Sequence, residues 1–228
     1  MCGRYNLNTS ARAFADAYGV VLDVLRDINL ARFNVAPTQT LPVVAGSADG
    51  GRQLLMARWG LIPAWVKDPA ALQQPINAKI ETAAEKPMFR RALARSRVLV
   101  PATGFYEWKP GGVRKQPFNI GMADGSPFAM GGLLERWQGP DGPVLSYCVL
   151  TTAANELVAD IHARMPVIIA PENYAQWLAP EVTGGEAVAA LATPFAAGAM
   201  RAYAVSTRVN NVRNDQPELL DPLPEIPG

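Results

Sequence analysis

The residues with the clearest chemical potential lie at the amino terminus, which reads Met1-Cys2-Gly3-Arg4. A small second residue allows removal of the initiator methionine, so we expect Cys2 to become the mature terminus. A terminal cysteine carries an amine and a thiol on adjacent carbons. The amine can form an imine with an aldehyde, and the thiol can then close a thiazolidine ring. Both groups titrate near neutrality, at about 8 and about 8.5, so small environmental shifts would activate either. The alternative is an ordinary terminal thiol.

A single carboxylate lies within an aromatic run, GFYEWK, at residues 104–109. In a strand, Glu107 would share a face with Phe105 and Lys109. A glutamate among aromatic rings is desolvated, which raises its pKa and suits it to proton transfer. The alternative is an edge-strand glutamate paired with Lys109.

The chain has one histidine, His162, in the segment IHARMP at residues 161–166. It precedes an apolar run, where a loop can present it. Histidine is the side chain best suited to proton transfer near neutral pH, and Arg164 beside it can clamp a phosphate. A lone histidine can equally serve as a structural hydrogen-bonding group.

Asn77 and Lys79 belong to a polar segment, INAKIET, at residues 76–82. The Asn77 amide can both donate and accept hydrogen bonds, and Lys79 can meet a phosphate. The alternative is that Asn77 or a neighbour caps the helix that follows.

Two tryptophans flank a loop shaped by glycine and proline, RWGLIPAW at residues 58–65. We expect Trp59 in the core and Trp65 exposed, where an indole can stack on an unpaired base with about 1–3 kcal/mol. The alternative places both rings in the core. A polar, basic segment at residues 206–215 serves either a structural or a binding role.

The composition limits the classes of protein to which the chain can belong. Its 228 residues, 49% hydrophobic and 18% charged, allow a sizeable core, and we favour one domain. A net charge of +1 means that any anion-binding face must be a local cluster. Two cysteines and one histidine argue against a Cys/His zinc site and a disulfide framework. Without an apolar run of about 18 residues or a signal peptide, we expect a cytoplasmic protein with no membrane span.

Short β-prone runs dominate the chain and predict an α+β fold with a curved or barrel-like sheet. The predicted strands are 41–45, 53–59, 98–100, 105–109, 118–122, 128–134, 145–151, 167–170 and 202–206. Helices are predicted over 10–26, with Thr9 or Ser10 as N-cap, over 81–95, with a break at Pro87, and over 174–178. Cys148 is expected in a buried strand without a chemical role.

Together these segments resemble the SOS response-associated peptidase (SRAP) family, also called abasic-site processing proteins. Each segment is weakly specific alone, but they follow the family's order. The matching residues are 1–5, 34–37, 59–65, 76–82, 104–109, 161–166 and 205–215. The resemblance implies one compact SRAP-like domain over residues 1–228, with a β-rich, barrel-like core, flanking helices and a tail from about residue 216.

The resemblance also implies a function: a sensor that crosslinks covalently to abasic sites in single-stranded DNA and shields the lesion during the DNA damage response. Cys2 matches the family's nucleophile, and Asn77, Glu107 and His162 match its other active-site residues. From the same resemblance we expect weak lyase and autopeptidase activities and no metal or organic cofactor. We also expect a monomer that associates with the nucleoid when it is bound to DNA. The DNA-binding residues expected are Arg4, Pro37, Trp65, Lys79, Thr151 and Arg164.

Two positions depart from the family pattern. Lys79 stands where the family usually has arginine and lacks its bidentate fork. Val66 stands where some members have a second aromatic residue, so base stacking would rest on Trp65.

Two other functions stay open: a cysteine peptidase acting on its own Met1, and a non-covalent reader of damaged or modified bases.

Overall fold

The computed structural model describes residues 2–111, 115–183 and 185–224, and β-strands dominate it. The strands are β1 (Tyr5–Asn8), β2 (Ala31–Val35), β3 (Thr40–Gly46), β4 (Arg52–Trp59), β5 (Asn77–Lys79), β6 (Arg97–Ala102), β7 (Gly104–Lys109), β8 (Gln116–Met122), β9 (Phe128–Gly139), β10 (Gly142–Ala153), β11 (Arg164–Pro166), β12 (Ile168–Ile169) and β13 (Met200–Ala204). The helices are α1 (Ala11–Tyr18), α2 (Ile80–Ala83), α3 (Arg90–Arg95), α4 (Glu156–Ala159), α5 (Tyr174–Leu178) and α6 (Gly185–Ala190).

Five strands close into a barrel, which confirms the predicted barrel-like core. The ring runs β10–β4–β3–β6–β9 and returns to β10; β10 and β4 are parallel and the other neighbours antiparallel. β10 continues beyond the ring, where β5 pairs with it in parallel and β11 pairs antiparallel. This extension brings Lys79, Thr151 and Arg164 to one end of β10.

A second sheet, in the order β13–β8–β7–β1–β2, lies against the barrel. Phe105 of β7 joins the main core, while Tyr106 faces the other side. That other side is covered by a smaller apolar cluster of Phe33, Tyr106, Val205, Val209 and Leu219. Because β7 lies between β1 and β8, Glu107 occupies an interior strand, and the edge-strand interpretation was wrong.

The first predicted helix is shorter than the sequence indicated. Ser10 caps α1, since its Oγ accepts a hydrogen bond from the Ala13 N–H at 3.1 Å. Gly19, with φ 63°, ends it in the left-handed conformation that glycine adopts at helix termini. A separate 3₁₀ turn, Leu22–Leu25, follows.

The predicted helix over 81–95 divides into α2 and α3 on either side of Pro87, as its break predicted. Within the described ranges, no helix has the length and apolar character needed to span a membrane.

The segment 206–215, whose role the sequence left open, is held to the second sheet by the buried side chain of Asn34. Its Nδ2 donates to the carbonyl oxygens of Val209, Asn211 and Asn214 at 2.8–3.1 Å. Asp215 in turn accepts hydrogen bonds from the Asn34 backbone N–H at 2.8 Å and from Arg32 Nε at 2.7 Å. The segment therefore has a structural role.

Replacing Asn34 by alanine should destabilise this attachment. Asn34→Ala removes the three hydrogen bonds from Nδ2 to this segment, and we expect a loss of roughly 2–3 kcal/mol in the free energy of unfolding. Urea denaturation measures that loss. Trypsin cleavage after the exposed Arg208 and Arg213 should accelerate. The exposed Asn8→Ala is the matched control, and equal stability of the two variants would contradict the assigned role of Asn34.

Candidate active site

Cys2 is fully buried at the entry to β1. Its Sγ lies 3.6 Å from the Arg4 carbonyl oxygen as a donor, and its own carbonyl oxygen accepts from Asn77 Nδ2 at 2.8 Å. Met1, whose removal the sequence predicts, lies outside the described residues. The amino-terminal motif and the segment 76–82 thus meet directly, because the Asn77 side-chain amide binds the Cys2 backbone.

Three aromatic residues lie close to Cys2. The hydroxyl oxygens of Tyr5 and Tyr147 are 2.8 Å apart, and Trp59 packs edge-on against Tyr5 and stacks on Tyr147. The Trp59 indole donates to the Ile76 carbonyl at 2.9 Å, one residue before Asn77. This buried cluster fixes the backbone on both sides of the Cys2–Asn77 contact. Sequence reasoning missed the two tyrosines, because only their pairing across distant strands gives them a role.

Glu107 is buried, with 2% of its surface exposed. Burial raises the pKa of this carboxyl, and nearby positive charge, that of His162 included, partly opposes the increase. The predicted partner Lys109 is exposed. The predicted desolvation of Glu107 is therefore present, and the carboxyl binds a proton more readily than an ordinary glutamate.

The Cys2 thiol experiences the same environment. Burial raises its pKa far above the ordinary range, and the negative charge of Glu107 raises it further. The thiol is consequently protonated at neutral pH in this state.

His162 follows α4 and is half-buried. Its Nδ1 lies 3.0 Å from the Arg164 N–H and 3.1 Å from the Arg164 carbonyl oxygen. The backbone N–H can only donate, so Nδ1 meets it favourably as an acceptor, with the ring proton on Nε2. Because the charge of His162 acts on Glu107, and that of Glu107 on Cys2, the three groups form one cluster.

Asn77 lies in β5, paired with Val149, and Lys79 occupies the N-cap position of α2 without a side-chain cap. The interpretation of Asn77 as a helix cap was wrong. Among the described residues, its Oδ1 is buried and has no hydrogen-bond partner. The amide therefore holds Cys2 with one end and keeps an acceptor available at the other.

Arg164 forms a fork with Glu81. Its Nη1 and Nη2 donate to the two carboxylate oxygens at 2.7 and 2.8 Å, and Nη2 also donates to the Thr151 carbonyl at 2.6 Å. Thr151 is fully buried beneath this fork, while Lys79, its register partner, is exposed.

Arg4 is half-buried and turned towards the carboxyl-terminal segment. Its Nη1 donates to Asn34 Oδ1 at 3.0 Å and to the Val209 carbonyl at 2.7 Å, and its Nη2 donates to the Asn210 carbonyl at 3.3 Å. Burial lowers the pKa of the guanidinium. Arg4 therefore ties the Cys2 segment to residues 209–210.

Trp65 is exposed over 62% of its surface, whereas Trp59 is fully buried, so both predictions are confirmed. The chain is fixed on each side of Trp65: the Ala64 N–H donates to Glu135, and the Val66 carbonyl accepts from Trp137 Nε1 at 2.6 Å. An exposed ring on a rigid loop can stack without a large loss of conformational entropy.

Pro37 is half-buried and precedes Thr38, whose φ of 75° is rare for a β-branched residue. The Thr38 N–H donates to the Trp59 carbonyl at 2.8 Å, which holds this turn against the end of β4.

Cys148, the other thiol, is fully buried in β10, as the sequence predicted. Of the predicted residues, Cys2, Asn77, Glu107 and His162 form the central cluster, and Lys79, Thr151 and Arg164 lie together beside it.

The family model for SOS response associated peptidase (SRAP) matches residues 1–212. This chain belongs to the SRAP family. The abasic site processing protein YoqW of Bacillus subtilis is 39% identical over 97% of this chain and 99% of its own length. The abasic site processing protein YedK of Escherichia coli is 33% identical over 98% of this chain and 100% of its own length.

Solved structures confirm the SRAP fold class of the chain. A protein of Bacteroides thetaiotaomicron is 28% identical and superimposes with a TM-score of 0.87 over 97% of this chain and 100% of its own. A Bordetella bronchiseptica protein shares the fold at a TM-score of 0.76, with 24% identity over 90% of this chain and 100% of its own.

The buried carboxylate gives this SRAP protein a testable pH dependence. Because the pKa of Glu107 is raised above its ordinary 4.5 in the folded state, its stabilising protonated form is lost as pH rises through that raised value. Glu107→Gln should therefore have a higher free energy of unfolding than the wild type at pH 8, and the gain should shrink towards pH 4.5.

Denaturant unfolding at several pH values measures this difference. The exposed Glu85→Gln provides the control, for which we expect no comparable gain. A Glu107→Gln protein less stable than the wild type at pH 8 would show that the ionised carboxylate is the stabilising form.

The single histidine permits a direct test of its tautomer. In protein with ¹⁵N-labelled histidine, we expect one imidazole whose neutral form carries the proton on Nε2, because Nδ1 accepts from the Arg164 N–H. NMR of the ring nitrogens distinguishes the tautomers. A proton on Nδ1 would mean that the ring donates to the Arg164 carbonyl instead, and would reverse the direction in which His162 offers its proton.

Proposed function

We propose that this protein captures abasic sites in single-stranded DNA covalently, through the amine and thiol of Cys2 after Met1 is removed. The observation that carries the proposal is the buried Cys2, held by Asn77 and flanked by Glu107 and His162. The relatives YoqW and YedK, named as abasic site processing proteins, supply the substrate class.

The first step joins the amine to the lesion. An abasic site exists partly as an open-chain aldehyde, and the neutral Cys2 amine adds to its carbon to give a carbinolamine. Loss of water then gives an imine. Glu107, with its raised pKa, can supply the proton that the departing hydroxyl needs and take it back in reversal. His162 assists opening of the sugar ring by proton transfer at Nε2.

The thiol acts second. In the unreacted site it is protonated, because burial and Glu107 both disfavour the thiolate. A protonated imine brings a positive charge beside the sulfur, which lowers the thiol pKa and favours attack on the imine carbon. The sulfur–carbon bond closes a thiazolidine, and the thiol proton leaves to a nearby base. The net change is aldehyde plus aminothiol to thiazolidine plus water.

Asn77 positions both partners in this scheme. Its Nδ2 holds the Cys2 carbonyl at 2.8 Å, and its buried, unpartnered Oδ1, among the described residues, can accept a hydrogen bond from a sugar hydroxyl. The substrate would thereby complete the hydrogen bonding of a buried acceptor.

The surrounding residues suggest how the strand would be held. Trp65 can stack on a base beside the lesion, and the half-buried Pro37 can help to shape the groove. Lys79 is exposed and can contact a phosphate. Arg4 and Arg164 support the site within the protein, because their side chains donate to the carbonyl groups of Val209 and Thr151. The imine also permits β-elimination, so weak strand cleavage is a side reaction of the same intermediate.

A denaturing gel with single-stranded DNA carrying one abasic site tests the proposal. We expect wild-type protein to form a heat-stable adduct. Its intact mass should equal that of protein plus DNA, less Met1 and one water. Cys2→Ala should form no such adduct, because that variant cannot close the ring. Cys148→Ala, which removes the other thiol, should retain the adduct.

A Cys2→Ala protein that still forms the stable adduct would refute the thiazolidine scheme. Salt-sensitive binding without any adduct would favour a non-covalent reader of damaged bases. Cleavage of a peptide other than the protein's own terminus would favour a peptidase.

A further inference from the structure

The fork between Arg164 and Glu81 lies at the end of β10, beside the exposed Lys79. Both terminal nitrogens of the guanidinium point at the Glu81 carboxylate, at 2.7 and 2.8 Å. The Arg164 side chain is 18% exposed and that of Glu81 47%. The carboxylate thus covers the part of Arg164 that faces outward.

The pairing changes the charge that this edge offers to a phosphate. Lys79 and Arg164 contribute two positive charges, and Glu81 removes one. Hydrogen bonding from Arg164 lowers the pKa of Glu81, so the carboxylate is ionised at neutral pH. The bidentate geometry that would bind a phosphate oxygen pair is already occupied by a carboxylate of similar shape.

We propose that Glu81 is a specificity-determining residue that masks Arg164 from the phosphates of undamaged single-stranded DNA. Retention of DNA on the protein then depends more on covalent capture at Cys2 than on electrostatic attraction to phosphates. The inference rests on the proposed function only for the identity of the ligand, single-stranded DNA.

The test is equilibrium binding of a fluorescent, undamaged single-stranded oligonucleotide over a series of NaCl concentrations. Glu81→Gln keeps the size of the side chain but removes its charge, so Arg164 becomes available to phosphate. We expect tighter binding at low salt and a salt slope steeper by about 0.7, the value for one additional phosphate contact on a single strand.

Two controls isolate the effect. Asp16→Asn makes the same change in an exposed pair, Arg12–Asp16, and should leave the slope unchanged. The double variant Glu81→Gln/Arg164→Gln should return to the wild-type slope, because the unmasked cation is absent. Glu81→Ala repeats the test without an amide that could hold Arg164.

Unchanged or weaker binding by both Glu81→Gln and Glu81→Ala would overturn the inference, as would a double variant that keeps the steeper slope. The adduct assay separates this result from the proposed function. Wild-type protein that crosslinks while the Glu81 variants gain no affinity refutes only the masking. Variants that gain affinity while wild-type protein forms no adduct refute only the covalent capture.

Discussion

The pairing of β10 with strands on both of its sides is the constraint on which the rest of the site depends. On one side β4 and β5 run parallel to it, placing Trp59 beside Tyr147 and Asn77 beside Val149. On the other, β9 closes the barrel and β11 brings Arg164 to Ala153. A slip of one residue in β10 would turn its own side chains, Tyr147 among them, to the opposite face and misalign them with these partners. Residues from four distant parts of the sequence therefore share one register.

The central cluster combines groups that are costly to charge. Glu107 and the Cys2 thiol are both buried, and the charge of Glu107 disfavours ionisation of the thiol. Such burial favours the protonated form of each group. Asn77 adds a buried acceptor without a partner within the described chain. The site is thus strained electrostatically in a way that a polar, cationic intermediate would relieve.

Many of the strands could be predicted from the sequence, because short runs of β-branched and aromatic residues between turns favour strand structure. The strand around Tyr147 and the burial of Glu107 followed from such runs. The strand Tyr5–Asn8, by contrast, alternates apolar and polar residues over only four positions, a pattern too short to predict a strand without its neighbours β7 and β2. The use of Asn34 as an anchor and the Glu81–Arg164 fork depend on contacts between residues 83 or more positions apart. No local pattern encodes such contacts.

The attachment of Arg4 to residues 209–210 has a consequence for the order of events during synthesis. The two partners are 205 positions apart, so the amino-terminal segment cannot complete its contacts until almost the whole chain has left the ribosome. In the folded protein Cys2 is fully buried. Assembly of the site around Cys2 is therefore a late event of folding, completed only when the last strand and the segment after it are in place.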